Sequence, residues 1–143
     1  VPLGTLNDVQ AVAQENSFQE LIIVTLIGSV QFLLLIGLVL LFIGKKYPIW
    51  VKLWLVIHQV FIFIGVLIDW WIPYFFGIGA EKRVETYNQM FGNTHTFLPT
   101  MNGIAPNTLR IVFHSVLFGC ILLTIYIFIS DARKRKESAN LSL

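Results

Sequence analysis

Charge is what this chain has least of: Lys, Arg, Asp and Glu make up 13% of its 143 residues, about half the share of an ordinary soluble domain. That shortage excludes a water-solvated surface over most of the chain. Cysteine is nearly absent too, and a lone Cys120 can neither close a disulfide within the chain nor build a thiolate metal cluster. A phosphate-cradling glycine loop, a metalloprotease histidine pair, a nucleophile elbow and a cysteine beside a base are all missing. Internal repeats and low-complexity tracts are missing as well. No Lys or Arg precedes Lys45, so all the positive charge lies in the rest of the chain.

What the chain has instead is apolar length. Residues 21–43, 50–76 and 109–130 are long apolar runs, each at or beyond the roughly 20 residues that a helix rising ~1.5 Å per residue needs to cross a ~30 Å hydrocarbon core. They predict an all-α integral membrane protein, a single membrane domain over 1–143 with transmembrane helices at 20–43, 50–76 and 108–130. The first run is too long for a signal-peptide core and has no basic flank before it, so it reads as a retained helix. Trp50 and Trp54 at one end of the second span, with Trp70, Trp71 and Tyr74 at the other, form aromatic belts about one bilayer apart. An odd number of spans argues against an inverted repeat.

The basic residues orient the chain. Lys45, Lys46, Lys52 and the cluster Arg133, Lys134, Arg135 and Lys136 fall on one side, against Lys82, Arg83 and Arg110 on the other. The positive-inside rule then predicts an antiparallel bundle with the N-terminus outside and the C-terminus cytoplasmic. Segments 1–19 and 77–107 become an outer N-terminal segment and an outer loop, and 131–143 a basic cytoplasmic tail that anchors topology and does not bind nucleic acid. Gly44, Tyr47 and Pro48 make so short a link that the first two spans are expected to be antiparallel neighbours. Asp8 is placed to cap a short helix carrying Val9, Val12 and Ala13. In the loop, 81–91 predicts a surface helix with Val84, Tyr87 and Phe91 on one face, and Phe97, Leu98, Met101 and Ile104 are candidate plugs into the bundle.

The few polar groups within the spans carry the functional possibilities. His58, Ile62, Gly65 and Asp69 share one face of the second span, and Arg110 and His114 share one of the third. Asp69 and Arg110 are expected to pair, because a carboxylate at that depth is costly alone. The structural expectation for His58, His114, Gln31 and Gln59 is hydrogen bonding to neighbouring helices. The sharper alternative is a proton or ion path through His58, Asp69 and His114, which needs a homo-oligomer or a larger partner because three helices do not enclose a pore. No cofactor is expected. Haem b between His58 and His114 would join residues at unequal depths, and a metal site would have to recruit Asp69, Cys120 or His95 without motif spacing. His95, with Glu81, Glu85 or Asp69 as carboxylate partner, is the only catalytic grouping to consider, alongside the loop candidates Phe97 and Asn102. Thr25 with Ser29, and Ser115 with Gly119, are small residues four apart that suit helix packing, as does Gly65.

These observations favour a non-catalytic subunit, assembly factor or regulator of a larger membrane complex. Its partners are expected to be the bilayer and other membrane subunits or copies of itself, and its location the plasma membrane, in a bacterium the inner membrane. The homo-oligomeric conductor is the alternative, and an intramembrane haem or metal protein comes third.

Overall fold

The computed structural model describes residues 2–140, and within the last helix it describes no side chain for Arg135, Lys136, Ser138 or Ala139. Val1 and 141–143, the ends of the expected outer segment and basic tail, and those two basic side chains lie outside the described residues. Among the described residues every regular element is helical and none is a strand. Three helices are long and apolar enough to cross a membrane: Phe18–Leu41, Ile49–Phe76 and Thr108–Lys134.

After a 3-10 turn at Gly4–Leu6, α1 spans Val9–Glu15. Its N-cap is Asp8, whose Oδ1 accepts the Ala11 amide at 2.9 Å, satisfying one of the donors that a helix start leaves open. Helix α2, Phe18–Leu41, begins at a capping box in which Ser17 and Glu20 satisfy each other's backbone amides. Pro48 precedes α3, Ile49–Val66, where its missing N–H costs nothing. The helix then widens into a π segment at Leu67–Trp71, with the Ile72 amide bonded to the Leu67 carbonyl, and closes as α4, Ile72–Phe76. Helix α5 spans Val84–Phe91 and α6 spans Thr108–Asn140. Asn107 caps α6 by accepting the Arg110 amide at 3.0 Å. The helix does not stop at Ser130, because the residues that follow include Ala, Arg, Lys and Glu, all good helix formers, and no Gly or Pro.

Gly77 ends α4 in the left-handed region, φ 70°, and its amide bonds to the Pro73 carbonyl at 3.0 Å. A Cβ there would sit 3.2 Å from Asn102 Oδ1. The neighbouring Asn102 Nδ2 donates to the Tyr74 carbonyl at 2.8 Å, one of the carbonyls that the end of α4 leaves without a helical donor. Gly77→Ala is therefore expected to cost about 1–2 kcal/mol from backbone strain alone, read as a lower unfolding midpoint of the detergent-solubilised protein. Asn102→Ala, itself at φ 51°, should lower it comparably through the same strain and the lost hydrogen bond.

The main packing is between α3 and α6. Lys52 meets Asp131 at 3.0 Å, Phe63 stacks on Phe118 at 5.3 Å, and Trp71 meets His114 edge-on at 6.1 Å. Contacts thus descend one helix as they climb the other. The link 42–48 keeps the ends of α2 and α3 together, with the Phe42 ring against Tyr47 and Trp50 and the Tyr47 hydroxyl bonded to the Val39 carbonyl at 3.0 Å. Beyond that link α2 fully buries none of its 24 residues. Its second half is partly covered on the side of Gln31, Leu35 and Leu38, and Val39 lines a pocket together with Leu55 and Gln59 of α3 and Cys120 of α6. The contact is loose because the helix is apolar nearly all round and no face is strongly favoured. At its other end α1 packs on α5, and Asn16 Nδ2 reaches Met90 Sδ at 3.5 Å.

Candidate functional site

The polar and aromatic groups that the chain brings together lie where 77–107 folds over the end of α4. Trp70, Tyr74, Ala80 and Ile104 form a buried cluster, with Trp71, Val84, Tyr87, Phe91 and Leu98 packed on it. Ile104 and Leu98 thus plug in as expected, whereas Phe97 and Met101 stay exposed. Phe97 and Met101 project from a loop already closed by the short bridge between Met101 and Ile104. The Tyr74 hydroxyl donates to the Pro99 carbonyl at 2.9 Å.

Pro73 explains how this cap is fastened. Having no N–H, it cannot give the Asp69 carbonyl its i+4 hydrogen bond. The Tyr87 hydroxyl supplies one instead, at 3.0 Å, and the Tyr87 ring lies flat on Trp70 with centroids 4.3 Å apart. The Tyr87 phenol is held above its ordinary value of about 10, first by burial and then by the negative charge of Asp69. A raised value in the folded state means that folding holds this proton more tightly than the unfolded chain does. The contribution of Tyr87 to stability is therefore complete below about pH 10 and declines as pH climbs from there through the folded value. Alkaline melting curves should show the wild type losing its margin over Tyr87→Phe only above about pH 10.

The expected Asp69–Arg110 pair is not what forms. Asp69 Oδ1 accepts from Arg83 Nη2 at 3.2 Å, and Arg83 Nη1 also donates to the Gly79 carbonyl at 3.1 Å. Asp69 is 59% exposed at the rim, because the inward position goes to its neighbour Trp70. The Arg110 guanidinium lies 4.3 Å from the Trp70 ring centroid and 4.2 Å from that of Phe91, a cation–π arrangement that replaces a counter-ion in a poorly solvated place. Sequence reasoning set Tyr87 and Phe91 on one face of the loop helix but gave neither them nor Arg83 and Trp70 a place in the site. A further signal was Pro73, four residues beyond a carbonyl that would need another donor.

The histidines behave differently from expectation as well. His58 stacks on Trp54 at 5.3 Å and His114 meets Trp71. His58 Nε2, Gln59 Oε1 and His114 Nδ1 are buried without a hydrogen-bond partner, so the anticipated bonds to neighbouring helices are not made by these atoms. Gln31 is partly buried on α2. His95 is exposed, with Nδ1 2.8 Å from Thr108 Oγ1, and its backbone ties Thr5 to the start of α6, so it serves as a splice between segments. No group of three or more His, Cys, Asp and Glu that could hold a metal occurs among the described residues. Thr25, Ser29, Gly65, Ser115 and Gly119 are all exposed, and a Cβ added at Gly65 or Gly119 would meet nothing within 4 Å. The chain's own packing uses none of these small residues closely.

No protein-family model matches the chain, and comparison with curated proteins and with solved structures gave no match. Its function must be argued from its own residues.

Proposed function

We propose that this is a non-catalytic subunit, assembly factor or regulator of a larger membrane complex, built as an antiparallel bundle of three spans. The N-terminus and the cap lie outside and the C-terminus is cytoplasmic, in the plasma membrane or a bacterial inner membrane. The observation that carries the reading is α2, which has 24 residues and none fully buried. Helices within a bilayer associate through close packing of small residues, and Thr25 and Ser29 remain exposed on this one. The opposed order of the α3–α6 contacts supports the antiparallel arrangement, and the placement of Lys and Arg supports the orientation.

A photo-crosslinker at Ser29, activated in the native membrane, tests it. The expected product is an adduct to one different polypeptide of defined mass, which native mass spectrometry of the gently extracted complex should also carry. Adducts to lipid alone would overturn the subunit reading. Impermeant labelling of a cysteine placed at Asn93, and not of one at Lys134, is the expected topology result.

A second reading, a homo-oligomeric proton or ion conductor, draws on the unpartnered atoms of His58, Gln59 and His114, since ionisable groups within a span mark ion paths by default. It predicts Ser29 adducts to copies of this chain, and loss of transport without loss of folding in His58→Ala or Asp69→Asn.

A further inference from the structure

Between α3 and α6, below the cap, runs a groove of about 690 Å³. Its lining changes character along its length. Asp69, Asn107 and Arg110 stand at the cap end, whereas Gly65, Ile62 and Phe113 line it one or two helical turns deeper. This sequence of polar then apolar groups follows the polarity of a bilayer from head group to chain.

Arg110 is the cation of this groove that forms no ion pair. Asp69, on the same groove, is bonded to Arg83 and reaches Arg110 only through longer-range attraction, and the Arg110 guanidinium lies against the ring faces of Trp70 and Phe91. Contact with rings leaves the N–H edge of a guanidinium available, and that edge matches a phosphate. His114 closes the wall of the same groove one turn below Arg110, 5% exposed, with its Nδ1 sealed off from the surface.

We propose that the groove is a glycerophospholipid site. The phosphate sits on the Arg110 guanidinium and an acyl chain lies along Gly65, Ile62 and Phe113. Charge complementarity selects the phosphate, and the deeper lining selects a lipid over the free anion. Gly65 leaves room for the chain, because a Cβ there meets nothing within 4 Å.

The test titrates the full-length, delipidated protein in detergent with dioleoyl phosphatidylglycerol, dioleoylglycerol and inorganic phosphate, reading bound lipid by native mass spectrometry and protection by thermal shift. Wild type should retain the phosphatidylglycerol and not the dioleoylglycerol. Arg110→Gln should weaken retention about tenfold, as the loss of one charge-assisted contact does. Gly65→Leu, which fills the chain end of the groove, should weaken it comparably at an unchanged unfolding midpoint. If Arg110→Gln fails to fold, Gly65→Leu decides alone. Equal retention of both lipids, or indifference to the substitutions that do fold, would mean annular lipid only and overturn the site. Protection by inorganic phosphate as strong as by the lipid, with Gly65→Leu neutral, would reduce it to an anion site and overturn the lipid assignment.

Discussion

Trp70→Ala is expected to loosen the whole cap and to cost about 3–5 kcal/mol, the range for removing a large buried aromatic. Trp70 is 5% exposed and its indole is shared by three partners: it stacks on Tyr87, tilts against Phe91 at 5.5 Å, and lies under Arg110 at 4.3 Å. Deleting it leaves a cavity and strips a guanidinium of one of its two rings, so that charge must find water or move. Thermal unfolding in detergent should show the loss. Limited proteolysis should show new cleavage within 77–107 before the helices unfold. Trp70→Phe should recover part of the stability, whereas equal behaviour of Trp70→Ala and wild type would mean that the cap is held by its hydrogen bonds alone.

The second large effect should come from Tyr87. Tyr87→Ala removes both the ring beneath the cap and the donor to the Asp69 carbonyl, for about 3 kcal/mol. Tyr87→Phe keeps the ring and should cost about 1 kcal/mol, the net value of an ordinary hydrogen bond. The informative background is Pro73→Ala. An alanine there restores an N–H able to satisfy the Asp69 carbonyl within the helix, so Tyr87→Phe should become nearly silent. A cycle of the two substitutions thus measures the coupling directly. Equal costs of Tyr87→Phe in both backgrounds would show that Pro73 and Tyr87 are independent.

Much of the fold was legible because membrane spans are governed by length and backbone satisfaction, which apolar runs and helix-end residues reveal. Asp8 and Gly77 act at helix ends where their types are suited to act, and Asn107 caps the helix that was expected to start after it. The partner of Asp69 was not legible. It depends on Arg83, fourteen residues away across a loop whose path is set only when Ile104, Leu98 and Tyr87 have packed. Nor could hydrophobicity distinguish a lipid-facing side from a packed one, since both call for the same residues. That is why α3 and α6 could not be singled out as the packed pair and why α2 could not be recognised as lying outside it. The π segment was equally hidden, as nothing in 67–71 beyond the nearby Pro73 marks a widened turn.

The bare flanks of α2 have a consequence for what selection can act on. In a packed core, a position that refuses one aliphatic residue in exchange for another is reporting on the shape of its own protein. No residue between Phe18 and Leu41 is fully buried within this chain, so away from the partly buried Leu21, Gln31, Leu35, Gly37 and Leu38 Leu, Ile and Val should exchange there freely under folding constraints alone. Any stripe of α2 outside those positions that tolerates no such exchange in a saturation screen would trace the outline of another molecule.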